Sequence, residues 1–258
     1  IDISIINQKE VEYWKEKLGA KLLPTGSLRI KKNIKLSNLS GFKEGKWWVQ
    51  DISSSIPIKL VGKIKNMEVL DLFSAPGGKA MQLIALGANV TCIDSSSIRI
   101  KKLKENLTRM NMNADVFQTD FYDFKSKKKF DLVLIDVPCS STGTIRKNKE
   151  IQYLDPFKRL KNLLKIQEDS LNVAKNFVKD KGYILYCNCS LFFSEGEDKI
   201  RNFIKENSNW ESEKFIKKNK HIEKEWIDKS GFLRLRPDHL YNEGGMDGFF
   251  AALLKKIN

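Results

Sequence analysis

The feature that most limits the fold of this chain is a series of short apolar runs, each with an aspartate at or near its carboxyl end, separated by stretches of helical periodicity. Met67 to Phe73 reads as a strand that contains Asp71, and Ala80 to Leu86 as a helix. Asn89 to Ile93 is a second strand closed by Asp94, and the helix after it carries Ile98, Leu103 and Leu107 on one face. Val116 to Gln118 predicts a third strand followed by Asp120, and Phe130 to Ile135 a fourth closed by Asp136. A long amphipathic helix over Leu160 to Val178 leads to a fifth strand, Tyr183 to Cys187. Strands alternating with helices imply crossover connections, so the pattern predicts an open, mostly parallel α/β sheet. Phe232 to Leu235 and Gly248 to Leu254 have no convincing helix between them, which predicts an antiparallel pair closing one sheet edge. The basic stretch Lys214 to Lys224 is expected to be an exposed excursion before that pair.

Ahead of the sheet, residues 1 to 45 combine a helical stretch at Val11 to Lys15 with a basic segment, Arg29, Lys31, Lys32 and Lys35. Gly41, Gly45 and the pair Trp47-Trp48 mark a boundary, so the expected division is a small α+β cap over 1–45 and a larger domain over 46–258. The chain starts at Ile1 without an initiator Met, and a preceding domain is expected.

Lys and Arg number 46 against 32 acids, a net charge of +14. A lysine-rich solvated surface and a polyanionic partner both account for this, because basic side chains that neutralise phosphates release counterions. No uncharged apolar run approaches the ~18 residues that span a bilayer, and no membrane role is expected. The cysteines are Cys92, Cys139, Cys187 and Cys189, too few for a disulfide scaffold in 258 residues, and without a signal pattern they are expected to be reduced and cytoplasmic. Cys187-Asn188-Cys189 lacks a zinc-ligand gap, and only His221 and His239 could add imidazoles, so no metal is expected.

Between the first strand and its helix lies Phe73-Ser74-Ala75-Pro76-Gly77-Gly78-Lys79. A strand, a glycine turn and a helix bring backbone N–H groups and a positive dipole end to the sheet's carboxyl edge, where a nucleotide-like cofactor binds. The loop is neither GxGxxG nor a P-loop, since Ala80 follows Lys79, which disfavours a dinucleotide or a nucleoside triphosphate. Asp94 lies 23 residues after Asp71, close to the ~20-residue offset at which a carboxylate takes ribose hydroxyls. The four acids Asp71, Asp94, Asp120 and Asp136 are expected to converge on one crevice. Asp136-Val137-Pro138-Cys139 and Cys187-Asn188-Cys189 fall at neighbouring strand tips, which would set two thiols and a carboxylate beside a bound cofactor. A thiolate suits attack on an electron-poor pyrimidine ring carbon. Cys92, inside the second strand, reads as core filler.

At these residues the chain resembles the Sun/NOL1/NOP2-type RNA cytosine-5 methyltransferases, and most of all their bacterial small-subunit ribosomal RNA methyltransferase B branch. DLFSAPGGK resembles the family's DxCAAPGGK, DVPCSSTG resembles DAPCSGTG, and YCNCSLFFSEGE resembles YxTCSxxxxENE. GKWWVQDISSSIP and RPDHLYNEGGMDGFFAALL resemble the family's upstream Gln-Asp stretch and its closing DGFF strand. The resemblance runs from about residue 20 to the end. Phe73 and Ser74 stand for Cys and Ala, Ser141 for Gly and Asn188 for Thr, and Cys187 adds a thiol next to the motif cysteine.

The resemblance implies a Rossmann-like methyltransferase fold with S-adenosylmethionine as methyl donor. Residues 73–79 would cradle its methionine moiety, Asp94 its ribose and Asp120 its adenine, with Asp136 near both donor and target base. Cys189 would attack carbon 6 of a cytosine, and Cys139 would assist loss of the carbon-5 proton and release of the enzyme. Lys79 would orient the cysteine or the base. The implied substrate is small-subunit (16S) ribosomal RNA, with the protein monomeric; transfer RNA is the alternative substrate, and a non-catalytic ribosome-assembly RNA-binding protein the alternative function. The basic cap, Trp47-Trp48 and Arg146-Lys147 are candidates for holding RNA, although the tryptophans read better as packing between the two parts.

Overall fold

The computed structural model describes residues 1–30, 35–155, 157–215 and 222–257. Lys31, Lys32, His221 and most of the basic run 214–224 lie outside the described residues. The first part builds a four-stranded antiparallel sheet in the order β2-β3-β1-β4. Its elements are β1 (Asp2–Ile5), α1 (Val11–Leu18), β2 (Lys21–Leu22), β3 (Leu28–Arg29) and β4 (Trp47–Val49). Ile3, Ile5, Trp14, Leu28, Ile30 and Trp47 form its core. Because β4 pairs with β1, the small sheet extends past residue 46.

Side chains alternate across a strand, and β4 uses this to join the two parts. Trp47 is buried in the small core and Trp48 in the core beneath the large sheet. Each indole N–H has a partner, Trp47 donating to Ser40 O at 2.9 Å and Trp48 to Gln50 Oε1 at 3.0 Å. Both rings are therefore packing anchors.

The large sheet has eight strands, with β10-β12-β9-β8-β5-β6-β7 as its main path and β11 also paired to β12. After α2 (Ile52–Val61) come β5 (Glu68–Leu72), α3 (Gly78–Ala85), β6 (Asn89–Asp94), α4 (Ser97–Arg109), β7 (Asp115–Gln118) and β8 (Phe130–Asp136). Then follow α5 (Phe157–Ala174), β9 (Val178–Asn188), α6 (Glu197–Glu206), β10 (Trp210–Glu213), β11 (Leu233–Leu235) and β12 (Phe249–Lys256). Strands β5 to β9 run parallel, as the alternation predicts. β12 is antiparallel to β9, β10 and β11. The antiparallel closing pair is thus present, but β12 lies inside the sheet and β10 takes the outer position.

Both faces of the central strands are buried, which is why they read as unbroken apolar runs. Val69, Leu132, Leu134 and Leu185 face one core, while Leu70, Val133, Ile135, Ile184 and Tyr186 face the other. Each such side chain contributes roughly 1.5–3 kcal/mol by leaving water. In α4 the buried residues are Ile100, Leu103 and Leu107, and Ile98, expected on that face, is 72% exposed. Spacings of three and four keep residues on one helix face, whereas five residues rotate a side chain away. Val178, expected to end a helix, instead starts β9, with α5 stopping at Ala174.

The chain order reverses between β5 and β8, because β6 lies on one side of β5 and β8 on the other. An open parallel sheet leaves a crevice at such a point, beyond the strands' carboxyl ends.

Candidate active site

That crevice is a cavity of about 850 Å³ whose walls include Asp71, Phe73, Ser74, Ala75, Pro76, Gly78, Lys79, Ser54 and Asp136. Gly77 forms the turn rather than the wall. Its φ is +106°, and a Cβ there would stand 2.5 Å from Leu103 Cδ1, so the backbone conformation and the approach of α4 both require glycine. α3 then starts at Gly78, which aims its first N–H groups at the cavity.

Of the four acids expected to converge, Asp71 and Asp136 line this space. Asp94 is 2% exposed and lies behind the loop, accepting from Ala75 N–H at 3.3 Å and Ser96 N–H at 2.9 Å and pairing with Arg99 at 2.8 Å. Asp120 is half-buried beyond β7, where it accepts from Tyr122 N–H at 3.0 Å. Neither is among the walls.

Asp71 is 1% exposed, and neither carboxyl oxygen has a hydrogen-bond partner among the described residues. Burial, reinforced by the nearby Asp136 carboxylate, pushes its pKa well above the usual carboxylate range and makes it a weaker acid. An orphaned buried acid at the floor of a cavity fits a polar ligand that supplies the missing donor, such as the ammonium of an amino-acid moiety. The loop's N–H groups and this acid thus suit the methionine portion of S-adenosylmethionine.

Lys79 Nζ lies 2.7 Å from Asp136 Oδ2, 2.8 Å from Ser54 Oγ and 4.9 Å from the Phe249 ring centroid. Burial pulls this ammonium down, but the Asp136 carboxylate, with Cys187 and Asp71 behind it, more than offsets that and holds it charged. The Asp136 side chain is 37% exposed while Lys79 is 7% exposed, so the lysine anchors from below a carboxylate that faces the cavity.

The two tip cysteines meet. β8 and β9 are parallel neighbours, with Asp136 opposite Cys187, and the turns leaving them bring Cys139 Sγ to 3.5 Å from Cys189 Sγ. Cys189 Sγ is also 3.6 Å from Ser141 Oγ. The hydrogen bond from Cys139, helped by Ser141 and Lys79 against the opposing effect of burial, moves Cys189 below the usual thiol range. The same contact and burial push Cys139 well above it. The two sulfurs are thereby biased in opposite directions, Cys189 toward the thiolate and Cys139 toward the thiol.

Cys187 is different. It is fully buried within β9, packs in the core and is pushed well above the thiol range by burial. Cys92 is likewise a buried core side chain in β6, raised beyond the usual range by burial. Asn188, where the family pattern has Thr, locks the turn between strand and thiol: its Oδ1 accepts from Ser190 N–H at 2.9 Å and its Nδ2 donates to Glu195 O at 2.8 Å.

Arg146 and Lys147, candidates for holding RNA, are instead engaged within the protein. Arg146 pairs with Asp51 and Asp247, each at 3.4 Å, and Lys147 pairs with Asp247 at 3.0 Å and with Asp51. This network ties the turn after Cys139 to the start of α2 and to the loop before β12. The sequence reading missed Ser54, Asp51, Asp247 and Glu195 as supports of the site. Each lies in a motif quoted above, at a polar position that neither a strand nor a helix face requires. His239 stacks on Trp226 at 5.2 Å, away from the cavity walls.

A family model described as 16S rRNA methyltransferase RsmB/F matches residues 60–255. The ribosomal RNA small subunit methyltransferase B of Photorhabdus laumondii is 32% identical over 187 residues, covering 70% of this chain and 44% of that protein. The protein of the same name from Serratia proteamaculans is 30% identical over 236 residues, covering 90% of this chain and 52% of that protein. The chain thus spans about half the length of the curated relatives it matches. Among solved structures, PH0851 is 28% identical with a TM-score of 0.84, covering 99% of this chain and 59% of its own. A methyltransferase homolog protein from Pyrococcus horikoshii shares the fold at 22% identity, with a TM-score of 0.79 and coverage of 99% and 86%. With its strand-tip cysteines, its cofactor crevice and a family match over most of its length, the chain belongs to the RsmB/F (NOL1/NOP2/Sun) family of S-adenosylmethionine-dependent RNA cytosine-5 methyltransferases.

Proposed function

We propose that this chain methylates carbon 5 of a cytosine in small-subunit (16S) ribosomal RNA, in the cytoplasm, through a covalent bond between Cys189 and the base. The observation that carries this reading is the 3.5 Å approach of Cys139 and Cys189 beside the Lys79–Asp136 pair at the cavity. The target base must leave its stack to present its ring edge to these sulfurs.

When bound, S-adenosylmethionine supplies the electrophilic methyl group. Phe73 to Lys79 hold its methionine portion, with Gly77 shaping the turn. Asp94 would take the ribose hydroxyls and Asp120 the adenine amino group. Carbon 5 of cytosine is a weak nucleophile, and addition of the Cys189 thiolate to carbon 6 makes it enamine-like. Asp136, held by Lys79, stabilises the protonated ring nitrogen that accompanies this addition. Once Cys189 is bonded to carbon, its charge no longer keeps Cys139 in the thiol form. Cys139 then gives its proton to solvent and, as thiolate, takes the carbon-5 proton; that C–H electron pair forms the 5,6 double bond as the carbon 6–sulfur bond breaks, the ring nitrogen loses its proton, and Cys189 leaves as thiolate. Residues 1–45 act as a small RNA-binding subdomain before the catalytic domain at 46–258.

Bisulfite sequencing of ribosomal and transfer RNA from cells with and without the protein tests this. One protected cytosine in 16S ribosomal RNA that disappears with the protein supports the reading. A lost site in transfer RNA moves the substrate, and no lost site in either overturns the activity.

A further inference from the structure

The turn that carries Cys139 rests on a carboxylate that solvent does not reach. Glu195 is 0% exposed. Its Oε1 accepts from Ser140 N–H at 3.0 Å and from Gln167 Nε2 at 2.9 Å, and its Oε2 accepts from the Ser140 hydroxyl at 2.5 Å. Gln167 Nε2 also donates to Pro138 O at 3.1 Å, so both chain neighbours of Cys139 are tied to one cluster. The main chain of Glu195 is fixed to the other sulfur's strand. Its carbonyl accepts from Tyr186 Oη at 2.9 Å and Asn188 Nδ2 at 2.8 Å. Ser140 Oγ and Ser190 Oγ, each next to a cysteine, are 3.0 Å apart.

Glu197, two residues on, provides a contrast. It is also buried, but Arg234 meets it with two bonds of 2.9 and 2.5 Å and donates onward to Ser190 O at 2.6 Å. Its charge is balanced by the guanidinium. The three donors to Glu195 are all neutral. A buried carboxylate without a counter-ion is costlier than a neutral side chain of the same shape, so stability alone does not account for an acid there. Its place does: two acceptor oxygens on one rigid side chain hold both the N–H and the hydroxyl of Ser140, next to Cys139, while its main chain is fixed to the strand tip before Cys189.

We propose that Glu195 is a positioning residue for the methyl-transfer reaction, fixing the Cys139 turn against the Cys189 strand tip. This rests on the roles assigned to the two cysteines under Proposed function. Glu195 touches neither substrate nor reacting atoms and acts through Ser140.

The test uses Glu195→Gln, which keeps shape and removes charge, and Ser140→Ala, which removes one bond from the other side should the first variant fold poorly. In the full chain without RNA, the rate of iodoacetamide alkylation at each cysteine is followed against pH by peptide mass spectrometry. In Glu195→Gln, Cys139 alkylation is expected to rise severalfold at a given pH, because an amide cannot accept from all three donors and the turn loosens. With S-adenosylmethionine and target RNA, both variants are expected to accumulate a denaturation-resistant methylated RNA adduct, as Cys139→Ala does, because a Cys139 turn no longer held against the Cys189 strand tip does not bring its sulfur to the carbon-5 proton. Unchanged Cys139 alkylation in a folded Glu195→Gln protein overturns the proposal. So does a parallel fall of transfer and release with no adduct while Cys139→Ala still traps one. If Cys139→Ala itself traps no adduct, the cysteine roles fail, and the alkylation profile alone decides whether Glu195 governs Cys139.

Discussion

Cys139 Sγ stands 3.5 Å from Cys189 Sγ although fifty residues of chain separate them. The sheet brings this about: β8 and β9 are parallel neighbours, so their outgoing turns leave the same edge side by side. Gly143 N–H then donates to Cys189 O at 2.9 Å and fastens one turn to the other.

Two sulfurs so placed are expected to close into a disulfide under a mild oxidant. A thiolate that attacks an oxidised neighbour needs access and a nearby resolving thiol, and this pair has both. Differential alkylation should show Cys139 and Cys189 lost as thiols while the buried Cys92 and Cys187 are retained. Methyl transfer should cease and return with dithiothreitol. A bridge through Cys187 would contradict the arrangement.

Asp71 should make the protein's stability depend on pH. Its folded pKa lies well above the ordinary 3.8, so between that value and the folded one the folded state binds more protons than the unfolded state. Stability from this group is therefore present at low pH and falls as pH rises through that window. Asp71→Asn, neutral throughout, should raise Tm in cofactor-free protein at pH 8 and change it much less at pH 4. Thermal unfolding at the two values checks this, and an equal effect at both would refute it.

Gly143→Ala should damage the site without touching a reacting group. A Cβ at residue 143 would lie 2.3 Å from Gly248 O and 2.7 Å from Cys189 O, both backbone atoms that cannot swing away. Overpacking of this kind costs roughly 1–3 kcal/mol. The expected result is a lower Tm together with at least a tenfold loss of methyl transfer, measured by chemical unfolding and single-turnover assay.

Much of this was legible in the sequence. Aspartates at strand ends, the glycine turn at 77–78 and the paired cysteine motifs carried the sheet, the crevice and the two sulfurs, because buried parallel strands must be apolar until they end. Other features left weaker traces. Trp210–Glu213 alternates charge with only one large apolar residue, as an outer strand does, and was hidden among basic residues. Ile98 and Ile100 look equivalent in composition, and only the spacing to Leu103 and Leu107 separates them. Arg146 and Lys147 read as phosphate ligands because their partners, Asp51 and Asp247, lie about a hundred residues away on either side. Long-range ion pairing of that kind has no local signature.

That network makes its own prediction. Lys147→Met would leave the Asp51 and Asp247 carboxylates facing each other with only Arg146 to balance them. With the lysine one-third exposed, a loss of about 1–2 kcal/mol is expected, below the full cost of breaking a buried pair. Urea unfolding checks this, and the deficit should shrink in Lys147→Met/Asp247→Asn. No recovery in the double variant would separate the two side chains.

The most direct measurement is to trap the enzyme–RNA adduct with Cys139→Ala, digest it, and identify by mass spectrometry the cysteine bonded to the nucleotide. The account predicts a cytosine attached through carbon 6 to Cys189, and no attachment at Cys187. A nucleotide on Cys187, or no covalent bond in a protein that still methylates RNA, would contradict it.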